Sequence, residues 1–233
     1  MFAVGPGLGQ AVARRYAREG YGVVLVARRQ EPLDALADQL RSTGATAHVI
    51  TADLSDIDAL PQAAKRIRAI AGDLDAFYYG AAANGFLPAV DLTAQRAQAL
   101  MALGVYALLV LVREFLPTML ARGDGAILSA QGASAVHGMP NIAGGFALAA
   151  QRNYLQSLHA AVADQGVYVG GLYVGAAIKH TPFHAQWEAA RAAGTPMPDV
   201  PEVDPDDLAD LLWSMHSTKS RPEATYPERL SVH

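Results

Sequence analysis

A glycine-rich segment near the start of the chain has the residue types and the spacing of an anion-binding turn. Its sequence is Gly5-Pro6-Gly7-Leu8-Gly9, and a helix is predicted to follow over about residues 7–19. Glycine allows a tight turn and lets the backbone approach a ligand closely. The free N–H groups and the positive dipole end of the helix would point back at this turn. The segment therefore predicts a site for a pyrophosphate.

Two arginines after the next predicted strand bear on which dinucleotide would bind. The strand covers residues 22–27 and is followed by Arg28 and Arg29. In dinucleotide-binding βαβ units, an acidic side chain at this place holds the ribose 2′-hydroxyl of NAD, whereas an arginine accommodates the 2′-phosphate of NADP. Arg28 therefore predicts NADP(H), with NAD(H) as the alternative. Because a glycine turn alone is weak evidence, a chain that binds neither cofactor also stays open.

Composition and charge limit the class of protein. The chain has 233 residues, of which 52% are apolar, and its net charge is −4. This size suits one α/β domain, and the absence of a basic block argues against nucleic acid or anionic lipid as partner. The sequence has no cysteine, which excludes disulfides, thiolate metal sites and a cysteine nucleophile. No membrane-spanning run is expected. No signal peptide is expected either, since Arg14 and Arg18 interrupt the N-terminus early. A cytoplasmic location is therefore predicted.

Strand-like and helix-like segments alternate along the chain. This alternation predicts an α/β fold, with a Rossmann-type, doubly wound parallel sheet of about seven strands and helices on both faces. The whole range 1–233 is expected to form one domain, whose first strand is short because only residues 1–4 precede the glycine turn. Ligands of such sheets bind outside the carboxyl ends of the strands, at the switch point. Residues 179–201 are predicted to form an insertion that covers the substrate as a lid.

Two helices predict self-association. The segment 97–120 is apolar nearly all round, and the segment 143–163 is rich in small residues. A helix without a polar face is buried on every side. In a domain of this size a second subunit would supply part of that cover. A homo-oligomer that associates through helices 97–120 and 143–163 is therefore expected.

The order of elements and three motifs resemble the short-chain dehydrogenase/reductase family over almost the whole chain. The motifs are the segment 5–29, Ala52-Asp53-Leu54, and the spacing of the segment 155–175. The tail 204–216 resembles an atypical subgroup in which the active-site tyrosine is commonly lost. The resemblance implies an NAD(P)-dependent oxidoreductase that acts on a carbonyl or an alcohol. It also implies a set of cofactor-binding residues: Gly5, Gly7, Leu8, Gly9, Arg28, Asp53, Leu54 and Gly80.

The catalytic residues of that family find no match in this chain. The family uses Asn, Ser, Tyr and Lys; the tyrosine is the general acid/base and the lysine lowers its pKa. The asparagine position falls on Gly104, the serine position near Gly132, the tyrosine position within 144–146 at Gly145, and the lysine position within 148–150 at Ala149. The resemblance thus implies a divergent subgroup without the tetrad. In the glycine fingerprint, moreover, the family's first glycine aligns with Ala3.

Other polar residues of the loops near the expected crevice are candidates for acid–base work. Ser134 and His137, after the fifth predicted strand, are weak catalytic candidates, since such a pair also occurs as a turn hydroxyl and a solvated histidine. His180 and His184 have metal-ligand spacing without a third ligand nearby, so no metal site is predicted. The remaining candidates are Asn84, Ser129, Gln131, Tyr173 and Lys179.

Three hypotheses of function follow from these residues. The first is a divergent NADP(H)-dependent oxidoreductase. The second is a non-redox enzyme that orients its substrate in the emptied pocket, which glycine and alanine would leave roomy and apolar for a small-molecule ligand. The third is a non-catalytic binding or regulatory subunit. The sequence names neither the substrate nor the pathway.

Overall fold

The computed structural model describes residues 1–81, 87–194 and 200–230. The helices are α1 (Leu8–Arg18), α2 (Gln30–Ser42), α3 (Leu60–Ala71), α4 (Ala94–Met101), α5 (Ala107–Arg122), α6 (Gly145–Val162), α7 (Pro182–Ala192) and α8 (Pro205–Thr218). The strands are β1 (Val23–Ala27), β2 (Ala47–Thr51), β3 (Ala76–Tyr79), β4 (Gly125–Gly132), β5 (Val167–Val174), β6 (Ala177–Ile178), β7 (Glu202–Val203) and β8 (Glu223–Tyr226).

The main sheet is parallel throughout, and a very short segment around Phe2 lies at its centre. Strand β2 pairs with β1 on one side, and β3, β4, β5 and β8 follow one another on the other side. Phe2 joins the two halves by isolated parallel bridges to Val26 and Tyr79. Its N–H donates to the Tyr78 carbonyl at 2.8 Å, and its own carbonyl accepts from Gly80 N at 3.1 Å. The predicted fold class is confirmed, and the chain reverses its winding direction at Phe2.

Helices cover both faces of this sheet. Tyr16 of α1, Leu36 of α2 and Leu212 of α8 belong to the core on one face. Ile67 of α3, Leu111 of α5 and further residues of α6 belong to the core on the other face. The sheet is therefore buried on both sides, which explains why its strands are almost continuously apolar.

The long apolar helix is divided by a π-helical turn at Ala102–Tyr106, between α4 and α5. Contrary to expectation, the helical run 94–122 is long and apolar enough to cross a membrane by length and composition, because residues 97–112 contain no charge. A core helix satisfies the same criterion, and α5 buries Leu108 and Phe115 completely against the sheet. Only 44% of the apolar 18-residue stretch within this run is buried inside the chain, however. The fold of a single chain therefore does not cover this helix on all sides.

The predicted insertion contains a helix between two short strands. Helix α7 lies within it, and β6 pairs in parallel with β7 before α8 begins. His184 of α7 lies between two carboxylates, 3.5 Å from Glu188 and 3.4 Å from Glu202. Residues 195–199 of the predicted lid lie outside the described residues, and its role as a lid stays a prediction.

Candidate functional site

The glycine turn forms a tight cradle at the N-terminus of α1. Gly7 is the N-cap residue of α1, with φ at 84°, and no side chain caps this helix end. A Cβ atom on Gly7 would lie 2.5 Å from the Thr181 methyl, and one on Gly9 would lie 3.0 Å from the Val4 Cα. Both positions therefore require glycine, whereas Gly5 has ordinary space around it. The uncapped N–H groups leave this end open to an anion.

A second helix begins directly over the same turn. Thr181, whose methyl group faces Gly7, is the N-cap residue of α7. Its hydroxyl donates to the Ile178 carbonyl at 2.8 Å and accepts from His184 N at 3.1 Å. The N-terminal ends of α1 and α7 thus meet at Gly7. The dipoles of both helices favour negative charge at this point.

The position of the missing fingerprint glycine has the backbone conformation of a glycine. Ala3 has φ at 62°, in the left-handed region that residues with a Cβ rarely occupy. Its carbonyl oxygen accepts a hydrogen bond from Gly5 N at 2.8 Å and faces Gly9. The backbone shape of the turn is therefore kept by a residue that is strained in it.

The other predicted cofactor residues lie at the carboxyl ends of neighbouring strands. Arg28 follows β1, is exposed, and makes no hydrogen bond or ion pair within the described chain. Asp53 follows β2, and its carboxylate accepts from Ser55 N at 2.9 Å and from the Ser55 hydroxyl at 2.7 Å. These bonds, helped by the positive charge of Arg28, hold the pKa of Asp53 below its usual value. Leu54 is buried beside it.

These features fit a dinucleotide. The glycine cradle suits a pyrophosphate, the free guanidinium of Arg28 suits a 2′-phosphate, and an ionised Asp53 is available as an acceptor. Gly80 follows β3, the next strand along the sheet. All of them lie at the edge of the sheet where its strands end, beside the switch point, which is the expected ligand side.

The four positions of the family's tetrad lie around the ends of β4 and α6. Gly104 is in the π-helical turn, where an added Cβ would lie 3.3 Å from the Ala147 Cβ of α6. Gly132 is the last residue of β4, and Gly145 is the first residue of α6. Ala149, in contrast, is exposed on α6.

Ser134 lies between two of these positions. An added Cβ on Gly145 would lie 3.3 Å from the Ser134 hydroxyl oxygen, and one on Gly132 would lie 3.7 Å from it. The side chain is only 6% exposed, and its hydroxyl has no hydrogen-bond partner within the described chain. His137, on the same turn, has a buried Nε2 atom that is likewise unpartnered there. A catalytic role for either residue stays a prediction.

A buried amide network lies behind this position, and sequence reasoning missed it. Gln151 of α6 is fully buried; it donates from Nε2 to the Gly104 carbonyl and accepts at Oε1 from Gln131. The Ser129 hydroxyl oxygen is 2.9 Å from Gln151 Oε1 and 3.0 Å from the Tyr79 carbonyl. The Tyr79 hydroxyl donates to the Leu103 carbonyl. Two carbonyls of the π-helical turn are therefore held by side chains.

The remaining candidates have structural partners or lie elsewhere. Tyr173 donates its hydroxyl to Glu223 at 3.0 Å, and burial raises its pKa well above the ordinary value. Lys179 is 4.0 Å from Glu202, and His180 is exposed. Asn84 lies outside the described residues. A cavity of about 50 Å³ in the described chain is lined by Phe2 and Ile67 among others, and another of about 230 Å³ lies between α6 and β5. Neither of these two is lined by the glycine turn or by Ser134.

Comparisons with known proteins agree with this geometry. The sequence pattern of the short chain dehydrogenase family matches residues 2–192. A fatty acyl-CoA reductase of Mycobacterium tuberculosis is 33% identical over 125 residues, which are 53% of this chain and 42% of the relative, so this chain spans less than half of that protein.

Two solved structures share the fold. The NADPH-bound short chain oxidoreductase of Pseudomonas aeruginosa PAO1, described as containing an atypical catalytic center, has a TM-score of 0.83 at 22% identity and is covered to 95% by the whole of this chain. A short-chain dehydrogenase of Sphingobium yanoikuyae in complex with NADPH has a TM-score of 0.79 at 27% identity, over 97% of this chain and 86% of that chain.

Proposed function

This chain belongs to the short-chain dehydrogenase family, and on that premise we propose that it binds NADP(H) and acts as an oxidoreductase on a carbonyl or an alcohol. The observation that carries the proposal is the uncapped glycine cradle at Gly7, with the unpaired guanidinium of Arg28 at the end of the adjacent strand. NADPH in the solved relatives supports the choice of cofactor. NAD(H) is the second choice, because Arg28 occupies the position where NAD-binding proteins have an acidic side chain.

Each part of the cofactor has a proposed partner in this chain. The N–H groups at the start of α1, around Gly7, Leu8 and Gly9, would bind the pyrophosphate, and Arg28 would bind the 2′-phosphate. Asp53, Leu54 and Gly80 would line the adenine side. When bound, the cofactor would supply hydride transfer, which is its own chemistry.

We further propose that the chain is a divergent member without the Asn-Ser-Tyr-Lys tetrad. In support, Gly145 and Gly132 pack around Ser134, and Ala149 is exposed, so none of these positions offers an acid–base group. The non-redox enzyme and the non-catalytic subunit remain the alternatives under this proposal. A cytoplasmic location also stays a proposal.

Self-association is proposed on the exposure of the long apolar helix. More than half of its apolar 18-residue stretch lies outside the chain's own core. Tyr106, at the end of its π-helical turn, is 45% exposed, and Phe146 on α6 is 40% exposed. Packing of α5 and α6 against a second copy would cover them. Light scattering at micromolar concentration tests this, and a monomer would contradict it.

The experiment for the function itself is a fluorescence titration with NADPH and NADH, followed by turnover on a panel of aldehydes and ketones. Saturable binding of NADPH with its oxidation by at least one carbonyl compound is expected. Binding without oxidation would favour the two alternatives. Failure of both nucleotides to bind would exclude the oxidoreductase.

A further inference from the structure

A buried histidine of α7 lies between two carboxylates that belong to different elements. His184 Nδ1 is 3.5 Å from Glu188, one turn further along the same helix, and His184 Nε2 is 3.4 Å from Glu202 of β7. The side chain of His184 is 11% exposed, whereas those of Glu188 and Glu202 are 61% and 37% exposed. Lys179, which follows β6, is 4.0 Å from Glu202 on the same side. These contacts connect α7 to the paired strands β6 and β7.

The attraction between His184 and Glu202 depends on the charge of the imidazole ring. Neither ring nitrogen of His184 makes a hydrogen bond within the part of the chain that the structure describes, and Nε2 is buried. A neutral ring is therefore held by packing alone, whereas a protonated ring is attracted to both carboxylates. Histidine is the side chain whose charge ordinarily changes between about pH 5 and 8. Proton uptake by His184 therefore strengthens the contact between α7 and β7.

The tryptophan beside His184 makes the packed position of α7 easy to shift. Trp187 is 4% exposed, and its ring stacks on that of His184 with the ring centroids 6.1 Å apart. Its Nε1 atom is buried and has no hydrogen-bond partner among the described residues. A buried donor without a partner opposes packing, because water would satisfy it. A modest change in the attraction at His184 is therefore enough to shift the balance between a packed and a displaced α7.

The position of α7 bears directly on the glycine cradle. Thr181, the N-cap residue of α7, places its methyl group where a Cβ atom on Gly7 would lie 2.5 Å away. His184 belongs to the same first turn, since its N–H donates to the Thr181 hydroxyl at 3.1 Å. Displacement of α7 at His184 would therefore move its N-terminal end away from Gly7. The dipole of α7 favours an anion at the cradle only while the helix is packed there.

We propose that His184 is a pH-dependent latch, which in its protonated form binds α7 to Glu202 of β7 and on losing the proton releases α7 from the glycine cradle. Glu188 moves with α7, so Glu202 is the carboxylate that distinguishes the two positions. By linkage, the packed position takes up the proton more readily than the displaced one, so it is favoured at low pH and lost as the pH rises. The latch does not depend on the proposed function, but its effect on cofactor binding rests on that function.

The test uses Trp187 as a reporter of the position of α7. The sequence has two tryptophans, so Trp213→Phe leaves Trp187 as the only one. Quenching by acrylamide measures how accessible Trp187 is between about pH 5 and 8. Accessibility should rise with pH, by an amount that corresponds to a shift of about two- to fivefold between the two positions, the range for a partly exposed ion pair.

Variants of the histidines separate the latch from other effects of pH. In the same background, His184→Gln should keep the higher accessibility at every pH, because the ring that takes up the proton is gone. His180→Gln is the matched control, since His180 is an exposed histidine directly before Thr181, and it should keep the rise. Should His184→Gln fail to fold, Glu202→Gln replaces it, at a partly exposed position, and should abolish the rise as well. Equal accessibility at both ends of the pH range, or a rise that persists in His184→Gln or Glu202→Gln, would overturn the latch.

NADPH binding is titrated separately at each pH, on the wild type and on His184→Gln. At the low end of the range the wild type should bind about two- to fivefold more tightly than the variant, and at the high end the two should be equal. Comparison at one pH cancels any change in the charge of the nucleotide itself. Equal affinity at low pH would overturn the effect on the cofactor. A pH response of Trp187 in a chain that ignores NADPH would sustain the latch while excluding the proposed function, and NADPH binding without that response would do the reverse.

Discussion

A Cβ atom on Gly145 would lie 2.8 Å from the carbonyl oxygen of Ser134. The contact is with backbone, which cannot rotate away as a side chain can. The turn after β4 therefore packs directly against the first residue of α6, which is one of the positions where the family resemblance expects a tyrosine. A glycine at this point is a consequence of packing as much as a loss of chemistry.

The first prediction follows from that contact. Gly145→Ala should lower the free energy of unfolding by about 1–3 kcal/mol, because the added methyl group overpacks the turn. Gly138→Ala is the matched control: it lies in the same loop, and an added Cβ there meets nothing within 4 Å. Urea unfolding of the two variants measures the difference. Equal stability of both would show that the turn yields at little cost.

The second prediction concerns the strained alanine of the glycine turn. Ala3→Gly should raise the free energy of unfolding by up to about 1 kcal/mol, since relief of a left-handed alanine gains about 1–2 kcal/mol and the freer unfolded chain costs about 0.4–1 kcal/mol. Ala3→Val should be less stable than the wild type, because a β-branched residue fits this φ worst. Thermal unfolding of the three proteins checks the order, and a stable Ala3→Val protein would contradict the strain.

The third prediction concerns the buried amide network. Gln151→Leu removes the side-chain partner of the Gly104 carbonyl and leaves the Gln131 amide with only the Ser129 hydroxyl, at 3.4 Å, so stability should fall by about 2 kcal/mol or more. Gln98→Leu, on the exposed side of α4, serves as control and should change little. Chemical denaturation gives both values. A neutral Gln151→Leu would mean that the π-helical turn holds its shape without this side chain.

The fourth prediction is a pH dependence of stability. Burial, aided by the charge of Lys219, lowers the pKa of His216 below its ordinary 6.5, and its Nδ1 atom lies 2.9 Å from the Tyr16 hydroxyl. The unfolded chain therefore binds the proton more readily, so the stability present above pH 6.5 falls as the pH drops toward the folded pKa.

Unfolding in urea across this range measures that slope. His216→Phe should have a shallower slope than the wild type. His180→Gln, at an exposed histidine, should keep the wild-type slope. A slope unchanged in His216→Phe would assign the dependence to other groups.

Much of the fold could be predicted from local pattern. The alternation of elements, the glycine turn and the helix that begins at Thr93 are signalled by neighbouring residues, and Thr93 does accept a bond from Arg96 N. The apolar composition of the helix 97–120 predicts burial on every side. It does not show which face packs against the sheet and which face the chain leaves exposed. The π-helical turn within it depends on Tyr79 and Gln151, which are distant in sequence.

The candidate site, like the fold, could be predicted from the sequence only in part. The residues around the glycine turn are close in sequence, so their roles could be expected from spacing. Thr181 over Gly7 and Ser134 against Gly145 could not, because both contacts join separate segments of the chain. The amide network left no local signal either, because Gln151 is followed directly by the polar residues Arg152 and Asn153.

The central claim is that the glycine turn and Arg28 together hold NADP(H), and the affinity ratio of NADPH to NADH tests it most directly. The ratio is measured by fluorescence titration of the wild type, Arg28→Ala and Arg66→Ala, the last being an exposed arginine on α3. The wild type should prefer NADPH, Arg28→Ala should lose about tenfold or more of that preference, and Arg66→Ala should keep it. A ratio unaffected by Arg28→Ala, or no binding of either nucleotide to the wild type, would contradict the claim.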